Sequence, residues 1–240
     1  MEFRRRLLAT LEAVRRVLEE PGVLVVGSEV PNLLEEGAAA TLVVSLDVDL
    51  AIPVARHGAV KARLDGIRGL RPSPDEPSVW VPESADLIEV NFIGMDPALS
   101  EPSQVYVLED ARLPLLVFGA LSLVRPASPL MIEGLRVPVP RTAGLLIEKL
   151  LTDRSGEKGA RDLLVALALL LLTREEELAE ADEAYAALGP EFRHAVRSNL
   201  TILSLMERHP GMPDPEPHRA RIAAWLRRIE RLDQGGEEAS

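Results

Sequence analysis

The spacing that carries most chemistry is Asp47-Val48-Asp49, in the segment Ser45-Leu46-Asp47-Val48-Asp49-Leu50. Side chains along a strand alternate between faces, so Asp47 and Asp49 project together while Leu46, Val48 and Leu50 face the other way. Two neighbouring carboxylates repel each other, and a cation between them relieves the repulsion. Hard oxygen ligands favour Mg2+ or Mn2+, and carboxylates that bridge ions about 4 Å apart make a two-metal site. Taken alone, an Asp-x-Asp reads first as a solvated strand end, so its surroundings decide. Upstream, Gly27-Ser28 closes an apolar strand ahead of a helical segment, where backbone N–H groups and a hydroxyl can hold phosphate oxygens. Downstream, Leu87-Ile88-Glu89-Val90-Asn91-Phe92 sets Glu89 and Asn91 on one face among apolar neighbours. If this strand pairs beside the Asp47 strand, Glu89 supplies a third acid to the same metals; alone, it reads as an exposed edge-strand glutamate.

These residues need elements to position them. Apolar periodicity and turn residues predict a helix over 2–20 ending at Pro21-Gly22, a buried strand over 23–26, and a short helical segment to 36. Further strands are predicted over 41–52, 79–81, 87–93, 104–108 and 113–118, with a short helix over 59–66 and a Pro-rich loop over 71–77. A hairpin is expected over 131–139 around Glu133-Gly134. From Arg141 the pattern turns helical, with four or five helices broken at Gly156, Thr173, Gly189-Pro190 and the loop 210–217, and a tail over 235–240 that frays. The chain therefore reads as an α+β domain over 1–140 and a helical domain over 141–240.

Composition narrows the partners. The chain of 240 residues has 27 Lys+Arg against 38 Asp+Glu, a net charge of −11, and 3% aromatic residues. That balance argues against a non-specific nucleic-acid coat, which needs a basic surface and stacking platforms. With no cysteine, disulfides, thiolate zinc sites and cysteine nucleophiles are excluded. The basic start Arg4-Arg5-Arg6 is followed by mixed apolar and charged residues, which reads as a surface helix and not as a signal peptide. The longest apolar run, 163–172, is about half of the ~20 residues that cross a bilayer. It is expected to be a core helix of a soluble, cytoplasmic protein with no membrane partner. His57 follows the Asp47 strand by a few residues, close enough to reach the site, but as a loop-edge histidine it reads first as solvent-exposed; His194, His209 and His218 have no acidic partners at metal spacing. Arg219, Arg221, Arg227, Arg228 and Arg231 spread around the last helix, which Trp225 and Leu226 can dock; they form the one basic surface that could meet RNA.

Together, Gly27-Ser28, Asp47-Val48-Asp49 and the Glu89 strand resemble the nucleotidyltransferase superfamily of DNA polymerase β. There, a Gly-Ser turn precedes a strand bearing Asp-x-Asp, and a later strand adds an acid. Within that superfamily the chain looks similar to the AbiEii-type abortive-infection toxins and related uncharacterised bacterial nucleotidyltransferase-fold proteins. Those follow the sheet with a strand hairpin and a helical motif that pairs a lysine with a downstream Arg-Asp. Here the motif falls on Lys149, Arg154, Lys158, Arg161 and Asp162, and it takes two of the three lysines in the chain, the third being Lys61. The spacer between Ser28 and Asp47, residues 29–46, is long and is expected to hold an insertion around residues 37–40.

The resemblance implies a nucleotidyltransferase-type mixed β-sheet with flanking helices, followed by a helical C-terminal region. It implies transfer of a nucleoside monophosphate from a nucleoside triphosphate to an RNA end or a protein, as a toxin-like enzyme with a possible antitoxin partner. In that scheme Asp47 and Asp49 hold two Mg2+ or Mn2+ ions, and Glu89 completes the second site and helps remove a proton. Gly27 and Ser28 position the β/γ phosphates, and Lys149 neutralises phosphate charge. The third acid has alternatives: Asp86 precedes the strand, and Asn91 occupies a position where some relatives place an acid. Arg161 and Asp162 support the site or form an ion pair that locks the helices, while Lys158 is expected to be solvated. The other reading of the whole is a catalytically silent member of the fold that binds nucleotide or a protein partner.

Overall fold

Glu2–Ala13 forms helix α1, with Leu7, Thr10 and Leu11 buried along one stripe, the spacing of a helix that covers a core. The computed structural model describes residues 2–35, 47–151, 157–207 and 216–237. A break at Val14 separates α1 from the single turn α2, Arg15–Leu18, so the helix expected over 2–20 is two pieces. Val14, Val17 and Leu18 still reach the same core as Leu7 and Leu11.

The strands that follow are β1 (Leu24–Val26), β2 (Asp47–Pro53), β3 (Leu70–Pro72), β4 (Val79–Pro82), β5 (Glu89–Met95), β6 (Val105–Leu108) and β7 (Leu115–Phe118). Short helices α3 (Val30–Leu34) and α4 (His57–Lys61) lie between them. The sheet order is β1-β2-β5-β4-β3, with β7 beside β5 and β6 beside β7. β2 and β5 run parallel, as do β5 and β7, while the other pairs are antiparallel. The result is a mixed sheet with flanking helices. A separate hairpin pairs β8 (Leu130–Ile132) with β9 (Leu135–Val137).

Alternation decides which side chains meet the core. Val48, Leu50 and Ile52 of β2 join Val90 and Phe92 of β5, Trp80 of β4 and Val117 of β7 in a cluster that α1 and α2 share. The opposite face carries a second, smaller cluster of Leu24, Val26, Ala51, Met95, Leu121 and Val124. Asp47 and Asp49 lie on that second face at the start of β2, with Asp49 paired to Val26 at the margin of this apolar patch.

Several boundaries differ from the sequence expectation. The loop expected over 71–77 gives residues to β3, whose Arg71 and Pro72 are exposed edge positions. The helix expected over 59–66 starts at His57 and ends at Lys61. His57, read as solvent-exposed, is partly buried, and its Nε2–H donates to the Leu113 carbonyl at 2.8 Å. The insertion expected around 37–40, the start of the strand predicted from 41 and the break at Gly156 lie outside the described residues.

The chain divides into two compact units, Met1–Arg141 and Thr142–Ser240. The second is helical: α5 (Thr142–Leu151), α6 (Glu157–Leu172), α7 (Glu175–Ala186), α8 (Pro190–Leu205) and α9 (Arg219–Glu237). Every residue of α5 is buried, because α6, α7 and α8 pack around it. The apolar run 163–172 lies in α6, and Pro190 opens α8 where its missing N–H costs nothing. Among the described residues no helix is long and apolar enough to cross a membrane. Ile222, Trp225 and Ile229 dock α9, but the basic face expected there is smaller. Arg228 pairs with Asp182 and Arg221 bonds the Thr173 carbonyl, so both turn toward neighbouring helices. The helix also continues through Gly235 to Glu237, where fraying was expected.

Candidate active site

The period of two along β2 and β5 places four polar side chains on one face. Residues Asp47 and Glu89 are register partners, and so are Asp49 and Asn91. In parallel strands paired positions share a face, so the four form a two-by-two array. All four are half-buried, each flanked by buried neighbours such as Val48 and Val90.

The Asn91 side chain joins the two aspartates. Its Nδ2 donates to Asp47 Oδ2 at 2.9 Å and to Asp49 Oδ1 at 3.1 Å. An amide between two carboxylates offsets part of their mutual repulsion without adding charge. Its Oδ1 is buried and, among the described residues, has no hydrogen-bond partner, which is costly for a polar atom left dry. Glu89 stands beside Asp47 instead of between the aspartates. Burial, then the Asp47 and Glu76 carboxylates, hold Glu89 above the usual carboxylate range.

The turn after β1 approaches from the other side. Val26 pairs with Asp49, and Gly27 follows with φ at +81°. A Cβ at residue 27 would lie 2.5 Å from Asp49 Oδ2. Both the left-handed backbone and the missing side chain are therefore required where the chain crosses the carboxylate. Ser28 is partly exposed, and its Oγ donates to Glu29 Oε1 at 3.2 Å.

Glu29 is a residue that sequence reasoning missed. It is fully buried, with 0% exposure, and Asn32 Nδ2 donates to its Oε2 at 2.9 Å. Burial pushes its pKa up to about 7, against the lowering effect of the Asn32 and Ser28 hydrogen bonds and with a further rise from Asp47 and Asp49. The signal in the sequence was slight: an acid placed between a Gly-Ser turn and the apolar Val30-Pro31, with Asn32 three residues on.

Asp47, Asp49, Glu89, Gly27 and Ser28 thus belong to one unit and cluster around the start of β2. Lys149, Arg161 and Asp162 belong to the other unit. There, Lys149 on α5 pairs with Glu148 at 3.2 Å and reaches Asp162 on α6 at 3.4 Å. Lys149 and Asp162 are each 8% exposed, while Arg161 is exposed. Lys158 is outside the side chains described.

The donor set can be tested for Mg2+ or Mn2+. The two carboxylates are hard oxygen donors, which suits one such ion that shares its coordination with substrate phosphates; Asn91 turns its Nδ2 and not its Oδ1 toward them, so an ion there displaces that amide. A second ion needs more. Among the described residues no group of three or more His, Cys, Asp or Glu side chains is placed to hold a metal. In comparisons with known proteins, the chain matches no family model and no curated protein.

Proposed function

We propose that this chain is a nucleotidyltransferase-fold protein that transfers a nucleoside monophosphate from a nucleoside triphosphate to an acceptor hydroxyl on an RNA end or a protein. The observation that carries the reading is the packing of the Gly27-Ser28 turn directly on Asp49, on the face that also bears Asp47. A glycine-serine turn suited to phosphate and two carboxylates suited to a cation stand side by side, which supports the reading.

In this scheme Asp47 and Asp49 hold one Mg2+ or Mn2+ ion, which supplies charge neutralisation to the triphosphate. The Ser28 hydroxyl donates to a phosphate oxygen, and Gly27 lets the backbone approach without a side chain in the way. Glu89, whose pKa is raised by burial and by Asp47, accepts the proton of the attacking hydroxyl. The new bond joins that oxygen to the α-phosphorus, and the bond to the β-phosphate oxygen breaks to release pyrophosphate. Lys149, which the family resemblance assigns to phosphate, pairs with Glu148 and Asp162; this arrangement favours the ion-pair role in which it joins α5 to α6. A toxin-like setting in the cytoplasm with an antitoxin partner belongs to the same reading.

Asn91 favours a second reading. An amide stands against both aspartates where a carboxylate would hold a second ion, so a silent protein that binds nucleotide without transferring it has a specific observation behind it. Incubation with each α-labelled nucleoside triphosphate and Mg2+ or Mn2+, with and without total RNA, separates the two. Label on RNA or on the protein that disappears in Asp47→Asn supports transfer; metal-dependent binding without label supports the silent reading.

A further inference from the structure

Glu29 follows the Gly27-Ser28 turn, and no step above uses it. Its two oxygens have different partners: Ser28 Oγ lies 3.2 Å from Oε1, and Asn32 Nδ2 lies 2.9 Å from Oε2. Arg4 Nη1, from α1, donates to the Asn32 carbonyl at 2.8 Å and steadies that residue. An amide nitrogen only donates, so Oε2 must keep a lone pair for Asn32. The carbonyl oxygen of a neutral acid is a better acceptor than its hydroxyl oxygen, so the arrangement that keeps the Asn32 bond strongest puts the proton on Oε1, facing Ser28. A hydroxyl both donates and accepts, so the bond between Ser28 and Glu29 can run in either direction. With Glu29 ionised, Ser28 gives its one hydrogen to Glu29. With Glu29 neutral, Glu29 donates to Ser28, and the serine hydrogen turns to another acceptor.

We infer that Glu29 is a positioning residue whose own proton decides whether the Ser28 hydroxyl donates to a phosphate oxygen of a bound triphosphate. The inference rests on the nucleotide reading above, since the phosphate is the acceptor. Among the described residues, the charged groups that act on Glu29 are Asp47 and Asp49 on β2, and both oppose its ionisation. Burial opposes it more strongly and, without a cation on Asp47 and Asp49, pushes the group up to about 7; a bound cation removes the aspartate repulsion, so the exchange then lies between that value and the ordinary carboxylate range. Ionised Glu29 also adds negative charge beneath the triphosphate, which weakens binding in the same direction.

The substitution Glu29→Gln reproduces the neutral acid, with Nε2 toward Ser28 and Oε1 accepting from Asn32. Calorimetric titration of the full chain with Mg2+ and inorganic triphosphate, and with Mg2+ and each nucleoside triphosphate, is run at pH 5.5 and 8.5. Protonation of the ligand moves every variant alike, so the ratio of wild-type to Glu29→Gln affinity is the readout. That ratio is expected to be near one at pH 5.5, with wild type about tenfold weaker at pH 8.5, the worth of one hydrogen bond to a charged group. In a Ser28→Ala background the ratio is expected to collapse toward one at both pH values. Equal affinities at pH 8.5, or a ratio that survives Ser28→Ala in full, overturn the inference. Binding without the ratio overturns it alone, whereas no binding by any variant at either pH overturns the nucleotide reading and this inference with it. If Glu29→Gln does not fold, the wild-type Glu29 carboxyl is followed by 13C NMR: a midpoint near 7 supports the inference, and one below 5 overturns it.

Discussion

Gly27 and Asp49 are packed so tightly that a Cβ on residue 27 would stand 2.5 Å from Asp49 Oδ2. The contact joins the end of β1 to the acidic start of β2, and it explains why a glycine with φ at +81° is found there. Any side chain at this position either moves the carboxylate or moves the turn.

Gly27→Ala therefore carries two penalties, a left-handed backbone and a clash with Asp49. The expected loss of stability is about 2 kcal/mol, read by urea denaturation. Cation and triphosphate binding should fall further than this loss explains, because Asp49 is displaced. A variant that is destabilised yet binds Mn2+ as well as wild type would show that the close contact is only a packing detail.

Asn91→Asp replaces the amide that bonds Asp47 and Asp49 with a third carboxylate. Without metal the variant is expected to be less stable by roughly 1–3 kcal/mol, since two hydrogen bonds become repulsion. Millimolar Mn2+ should recover more stability in this variant than in wild type. If label transfer appears or rises in Asn91→Asp, the amide is what limits the natural site. Unchanged metal dependence would mean that residue 91 does not face the cation.

Four of the residues at this site were readable because alternation is a local rule. Asp47 with Asp49, and Glu89 with Asn91, share faces whatever the strands pair with. The pairing of β2 with β5, which sets Glu89 beside Asp47 and lets Asn91 span both aspartates, is tertiary and leaves no mark in either segment. Glu89 was the natural choice for a third acid by residue type, and only geometry shows an amide closer to the pair. Glu29 escaped notice because a glutamate after a turn reads as solvated; its burial comes from surrounding segments. The same limit applies to α9, where arginine spacing predicts a basic face but Asp182 and the Thr173 carbonyl draw Arg228 and Arg221 inward. In contrast, the apolar run in α6 was long enough to announce a buried helix by itself.

The raised pKa of Glu29 makes stability depend on pH in a defined direction. Burial pushes the group up to about 7 in the folded chain from its ordinary value of 4.5, so between those values the folded chain binds more protons than the unfolded one. Stability from this group is thus full below pH 4.5, falls as pH rises to about 7, and stays low above it. Glu29→Gln removes the dependence and should gain on the order of 3 kcal/mol over wild type at pH 8, with no gain at pH 4. Thermal melts of both proteins across that range check the sign. A constant difference at all pH values would contradict it.

Lys149 is buried with Glu148 and Asp162 around it. Lys149→Met leaves two buried carboxylates without that cation and is expected to cost about 3–5 kcal/mol, seen as a large drop in melting temperature. Simultaneous replacement by Glu148→Gln, Lys149→Met and Asp162→Asn should recover much of the loss. If Lys149→Met folds as stably as wild type but loses triphosphate binding, the phosphate role that the family resemblance assigns to it is the correct one.

The central claim is that Asp47 and Asp49 hold the divalent cation that brings a nucleoside triphosphate to the Gly27-Ser28 turn. Titration with Mn2+ followed by electron paramagnetic resonance, in the presence of each nucleoside triphosphate, tests it most directly. The account predicts protein-bound Mn2+ that rises with at least one nucleotide in the wild-type chain and is lost in both Asp47→Asn and Asp49→Asn. Bound Mn2+ that is unchanged in those two variants, or a wild-type chain that takes up none with any nucleotide, would contradict it.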